Sequence, residues 1–257
     1  MKKKVILISI DGMRPDGFLG CKNPYVKDLL EMSTHSMTAR SQDPSVTLPC
    51  HMSIFLSVSP ERHGILTNTY VPPVRPVKGL FEVLKSADKK CGMFYGWEEL
   101  RDVSRPGSLD RAEYVESYSA PSTDTVLTDR AISYIKEEAP DFVFLYLVET
   151  DTKGGHDVGW MTETYLEYIS VAVDCTKKVV EAAGEDYTVI VTADHGGHAR
   201  GHGADIPEDM IIPMLFIGQE FEKGKEITDI SLLDIAPTVA KIMGVPPQRE
   251  WEGTPIC

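Results

Sequence analysis

No apolar run in this chain is long enough to span a bilayer. The longest, such as FVFLYLV at 142–148, fall far short of the roughly 20 residues that a transmembrane helix needs. Cysteine is sparse: the five, at 21, 50, 91, 175 and 257, are odd in number, scattered and without a CxxC. That excludes a disulfide framework and points to reduced thiols. Positive charge is also short. With 26 Lys+Arg against 39 Asp+Glu the formal net charge is −13, and no local basic patch offsets it. DNA, RNA and anionic membranes are thereby excluded as partners. Repeats, low-complexity tracts and linker-like Pro/Ser/Gly segments are missing as well. The start, MKKKVILISIDG, has a basic head but only a six-residue apolar run before Asp11, with no cleavage site in view. It is expected to be a first strand, and the protein to be cytoplasmic.

What is present is ordinary globular composition: 257 residues, 42% hydrophobic and 25% charged. Apolar, β-branched runs alternate with longer amphipathic stretches. Strands are expected at 4–10, 91–95, 142–149, 187–192 and 213–217. Helices are expected at 25–33, 49–57, 78–87, 122–138, 162–183 and 232–243, the last stopped by Gly244 with Pro246 beyond. This alternation predicts an α/β fold, a single domain over residues 1–257, with a largely parallel central sheet and helices on both faces. Residues 102–124 are the least regular and are expected to form a small excursion over the sheet.

The stretch TADHGGHARGHG at 192–203 places three histidines and one aspartate among four glycines. A polar surface loop is the plain alternative, yet imidazoles on a backbone that bends freely suit a zinc-class metal. Strand 4–10 runs into Asp11, strand 142–149 into Asp151 with His156 following, and strand 187–192 into Asp194-His195. Singly, each acid is a common turn former or helix cap. Ligands in open α/β sheets bind outside the carboxyl ends of the strands, so together the three acids converge on one crevice. In the stretch DPSVTLPCHMSIFLSVSPERHGILTN (43–68), Pro49 suits the first turn of a helix. Thr47 therefore lies at or beside that helix's N-terminus, where an N-cap role competes with stabilisation of an oxyanion.

The ordered set Asp11, Thr47-Leu-Pro-Cys-His, His63-Gly-Ile, Asp151 with Gly-His156, Asp194-His195-Gly and His202-Gly resembles the alkaline phosphatase superfamily. The resemblance is to its nucleotide pyrophosphatase/phosphodiesterase branch, whose motif reads T-F-P-N-H, and it spans nearly the whole chain. It implies an alkaline phosphatase-like three-layer sandwich and two divalent metal ions, usually zinc, with manganese or iron compatible with the same ligands. One ion would be held by Asp151, His156 and His202. The other would be held by Asp11, Asp194 and His195, with Thr47 as its fourth ligand. Asn68 and the Leu48 N–H would bind phosphoryl oxygens. His51 and His198 match no metal position and are expected to be supporting or structural.

The chain departs from the family pattern at four points. Leu48 stands in place of an aromatic residue and Cys50 in place of an asparagine. Asp151 and His156 are five apart rather than four, a spacing that Gly154-Gly155 would have to accommodate. The chain also leaves little room for the large inserted cap of relatives.

The reaction implied is attack of the Thr47 oxygen on a small anionic phosphate ester, through a phosphothreonine that water then hydrolyses. A phosphodiesterase is expected, with a phosphomonoesterase or phosphonate hydrolase as alternatives on the same site. A sulfatase is disfavoured because Thr replaces the Cys or Ser that becomes formylglycine. A mutase is disfavoured by the missing cap, and a non-catalytic metal- or anion-binding protein by the retention of Thr47 with every ligand type. The sequence does not set the oligomeric state.

Overall fold

The computed structural model describes residues 3–257. Its first half contains β1 (Lys4–Ile10), α1 (Pro15–Gly20), α2 (Tyr25–Met32), β2 (Thr34–Arg40), α3 (Thr47–Leu56), α4 (Pro60–His63), α5 (Leu80–Ser86), β3 (Cys91–Tyr95) and β4 (Arg111–Tyr114). Its second half contains α6 (Thr123–Glu138), β5 (Phe142–Leu147), α7 (Glu163–Ala183), β6 (Tyr187–Thr192), α8 (Pro207–Met210), β7 (Ile211–Ile217), β8 (Lys225–Glu226) and α9 (Ile235–Ile242). A π-helical turn occupies Thr150–His156, and 3₁₀ turns occupy Glu98–Val103 and Leu232–Asp234.

Every residue of β5 and β6, and every residue of β1 after Lys4, is buried. Strands covered on both faces have no need of polar alternation, which is why these read as unbroken apolar runs. The sheet order is β4-β3-β5-β1-β6-β7-β2-β8. Pairing is parallel from β4 through to β6 and between β2 and β8, whereas β7 is antiparallel to both β6 and β2. Helices α1, α2, α6 and α7 pack together as one layer, and α3, α5 and α9 as the other. Ser122 and Thr162 cap α6 and α7, their hydroxyls accepting the N–H of Thr125 and Tyr165.

The structure corrects the expected elements in three places. β2, THSMTAR, was not expected as a strand: its buried positions include Thr34 and Ser36, so the inward face carries little hydrophobic signal. Residues 102–124 are only partly an excursion, since β4 adds a parallel edge strand to β3. The strand expected to reach residue 149 ends at Leu147, where the chain turns into the π-helical segment.

Register sets the site. Ile10 pairs with Leu147 and Ser9 with Thr192, so the residues that follow β1, β5 and β6 leave the sheet along one carboxyl edge. Helix α3 is carried to that edge and is buried along its full length. Phe55 anchors it, stacked on Phe81 of α5 at 4.7 Å and edge-on to Phe144 of β5 at 4.9 Å. Each such pair adds about 0.5–1.5 kcal/mol beyond burial.

Candidate active site

Asp11, Asp151 and Asp194 are all buried at that edge. His195 Nε2 lies 3.3 Å from Asp11 Oδ1, 3.3 Å from Asp194 Oδ2 and 3.1 Å from Thr47 Oγ. The ligand atoms of Asp11, Asp194 and His195 lie within 4.8 Å of one another, and so do those of Asp151, His195 and His202. His195 thus belongs to both groups, its ring stacked on that of His202 at 3.8 Å. His156 stands further out: its Nε2 is 3.4 Å from Asp151 Oδ2, and its side chain is 42% exposed.

The five-residue gap between Asp151 and His156 is closed by the π-helical turn. Asp157 N–H donates to the Thr152 oxygen and Gly159 N–H to that of Gly154, both five residues back. A wider turn stacks residues five apart, so the extra residue brings His156 back over Asp151 rather than away from it.

Thr47 is the first residue of α3. The cap position is taken by Val46, in extended backbone and without a capping side chain, so the Thr47 hydroxyl is not used as a cap. Asn68 Oδ1 accepts the Leu48 N–H at 3.0 Å, which leaves the Asn68 amide NH2 free to donate elsewhere. The Leu48 side chain is fully buried and faces the core rather than a pocket.

Asp11 and Asp194 each have one oxygen bonded to the protein and another left open. Asp194 Oδ1 accepts from the N–H groups of Gly12 and His195, and Asp11 Oδ2 accepts from the Tyr146 hydroxyl. Asp11 Oδ1, Asp151 Oδ1 and Asp194 Oδ2 are buried without any hydrogen-bond partner. Burial, with Asp194 close by, holds the Asp11 carboxyl well above the usual range. Burial and the Asp11 charge do the same to Asp151, and burial pushes Asp194 up to about 7. The histidines are arranged in the complementary way. His156, His195 and His202 place Nδ1 2.8–3.0 Å from the carbonyls of Arg200, Gly196 and Ser45, which orients each ring with Nε2 toward the acids. Burial pushes His202 down to about 3, so it is neutral. Orphaned carboxylate oxygens and imidazole nitrogens facing one space form a donor set that fits divalent metal ions.

The other histidines have structural partners. His51 Nδ1 donates to the Thr47 carbonyl at 2.8 Å and its Nε2 meets Ser9 Oγ at 3.0 Å. His63 accepts the Ile65 N–H and meets Ser53 Oγ. His198 is bonded to the buried Asp209, whose second oxygen accepts the Ala204 N–H, so Asp209 clasps the loop that delivers His202. The Cys50 thiol is pushed up to about 12 by burial and stays neutral. Arg40, Arg62 and Arg200 are engaged with Asp205, the Arg75 carbonyl and the Val158 carbonyl. Sequence reasoning missed Tyr146 and Trp160, each far in sequence from the Asp11-Gly12 turn it holds, and Asp209, which lies close in sequence to His198 but without a local motif to flag it.

The sequence profile of the type I phosphodiesterase/nucleotide pyrophosphatase family matches residues 5–202. The GPI ethanolamine phosphate transferase 2 catalytic subunit of Homo sapiens is 24% identical over 273 residues, covering 98% of this chain and 27% of its own. Ectonucleotide pyrophosphatase/phosphodiesterase family member 3 of Rattus norvegicus is 25% identical over 222 residues, covering 75% of this chain and 24% of its own. The chain therefore spans about a quarter of the length of these relatives. Among solved structures, murine ectonucleotide pyrophosphatase/phosphodiesterase 5, in an inactive threonine-to-alanine form with AMP, superposes with a TM-score of 0.81 at 14% identity, covering 95% of this chain and 96% of that one. The last is a likeness of fold. With the profile running from β1 through His202, the chain belongs to the type I phosphodiesterase/nucleotide pyrophosphatase family.

Proposed function

We propose that this chain is a two-metal hydrolase of small phosphate esters, a phosphodiesterase in preference to a monoesterase, with Thr47 as nucleophile. The observation that carries the reading is the Thr47 hydroxyl, 3.1 Å from His195 Nε2, beside three buried carboxylate oxygens that have no protein partner. Asp11, Asp194, His195 and Thr47 are assigned to one ion, and Asp151, His156 and His202 to the other. Zinc suits this nitrogen and oxygen set, and manganese or iron fit it too. When bound, the ions supply positive charge that acidifies a hydroxyl and offsets phosphoryl charge.

The chain's own groups do the rest. Thr47 sits at the positive end of α3, where developing negative charge is favoured. Its oxygen forms a bond to phosphorus as the bond to the leaving alcohol breaks, and water then displaces the threonine from the phosphothreonine. With its oxygen held by the Leu48 N–H, Asn68 is left with an amide NH2 to donate to a phosphoryl oxygen. Arg40, Arg62 and Arg200 make exposed contacts with Asp205, the Arg75 carbonyl and the Val158 carbonyl. Among the described residues, none has a side-chain hydrogen bond to a residue of the site that would aim it as a fork for the extra charge of a monoester. The buried Leu48 offers no face on which a base could stack, so weak discrimination among nucleobases is expected. The murine relative described as inactive after a threonine-to-alanine change, and solved with AMP, supports a threonine nucleophile and a nucleotide-like ester. Five unpaired cysteines, four of them buried, support a reducing, cytoplasmic location.

The test is metal analysis of the purified protein with kcat/KM for bis-nitrophenyl phosphate, mono-nitrophenyl phosphate and a nucleotide nitrophenyl ester. Two ions per chain and a diester advantage are expected. A monoester advantage of about tenfold or more reassigns the protein as a phosphatase. Absence of turnover on every ester makes it a binding protein.

A further inference from the structure

Trp160 lies four residues beyond the π-helical segment and is 6% exposed. Its indole N–H donates to the Gly12 carbonyl at 2.9 Å, one residue beyond Asp11, and its backbone N–H donates to the Ala199 carbonyl at 2.9 Å. Two glycines press against the ring. A Cβ at Gly155, beside His156, would lie 2.5 Å from Cη2, and one at Gly197, two residues beyond His195, would lie 2.1 Å from Cε2. The ring also stands edge-on to His156 at 5.3 Å and to His202 at 6.1 Å between centroids. One side chain therefore touches all three loops that carry the acids and histidines.

His156 needs such support most. It is the most exposed of the assigned ligands, and its only hydrogen bond runs from Nδ1 to the Arg200 carbonyl. An imidazole free to rotate in water must be ordered when it binds an ion, and a wall against its face removes part of that cost in advance. We propose that Trp160 is a positioning residue for the outer ion, setting how tightly Asp151, His156 and His202 hold it. This rests on the two-metal reading above.

The test titrates metal-free protein with Zn2+ against a chromophoric chelator, and with Co2+ followed by its visible absorption. Trp160→Ala is expected to weaken one ion of the pair by about 10- to 100-fold, the range for partners that orient metal ligands, and to change the cobalt spectrum of that site. Trp160→Phe keeps a ring against Gly155 and Gly197 but loses the N–H, and should lie between parent and alanine. Gly155→Ala forces the ring away and should weaken the same ion, whereas the double variant Gly155→Ala/Trp160→Ala should bind no worse than Trp160→Ala alone. If Trp160→Ala does not fold, Trp160→Phe and Gly155→Ala carry the comparison. Folded variants that bind both ions with parent affinity overturn the proposal. A parent chain that binds fewer than two ions overturns the two-metal reading instead, whatever the variants do.

Discussion

Thr47 and the residue before it show how one position separates a cap from the proposed nucleophile. Val46 takes the cap geometry with no side chain able to use it, and Thr47, one step into α3, keeps its hydroxyl for the space beside His195. Thr47→Ala is therefore expected to abolish turnover while metal content stays close to that of the parent, and Thr47→Ser to retain measurable activity. The check is single-turnover and steady-state kinetics beside metal analysis. Parent-rate turnover by Thr47→Ala would mean that water attacks phosphorus directly. His51 makes the opposite point: burial pushes it down to about 3, and both ring nitrogens are committed to Thr47 and Ser9, so a histidine four residues from the proposed nucleophile is a strut.

At the scale of elements, α3 and the π-helical turn place what the loops carry. The position of α3 depends on Phe55 filling the gap between Phe81 and Phe144. Phe55→Ala leaves a cavity there and is expected to destabilise the protein by about 3–5 kcal/mol, seen as a lower urea midpoint with an unchanged slope. A loss below about 1 kcal/mol would show that the helix is held by other contacts. The π-helical turn is a different device: its wider winding brings His156 back over Asp151 between β5 and α7.

For the molecule as a whole, three buried acids tie stability to metal and pH. Their folded-state pKa values are raised, Asp194 to about 7 and the other two well above the usual range. Without cations their contribution is therefore full below about pH 4 and is lost as pH rises through those values. His51, His63 and His202, pushed down to about 3, 4 and 3, act in the opposite direction, but only below the unfolded imidazole value of about 6.5. Above it the acids alone remain. Asp124, pushed up to about 8 by burial, acts on both forms, so the chelated protein is expected to lose melting temperature more steeply than the zinc-loaded protein between about pH 6.5 and 8.5, and the gap between them widens. Calorimetric scans of both forms across that range check it, and a flat or narrowing gap counts against cations at these acids. Chelation should also remove turnover, and added zinc restore it.

The central strands, most helices and the three acids at strand ends were legible in the sequence. Burial on both faces leaves an unbroken apolar run, and a ligand crevice at the carboxyl edge follows from parallel order. Thr47, His156, His195 and His202 were legible as chemistry through motif and spacing. β2 was not, because its inward positions include serine and threonine, and the partner of Thr34 comes from a distant segment. Only the tertiary structure decided that His195 stands between both candidate ligand groups, that Leu48 belongs to the core, and that Trp160 and Tyr146 brace the site. Those roles rest on contacts between residues far apart in the chain, among them Tyr146 with Asp11 and Trp160 with Gly12 and Gly197. Local pattern carries no record of such contacts, since it reports periodicity and turn chemistry, whereas support for a site depends on which distant surfaces the fold brings within a few ångströms.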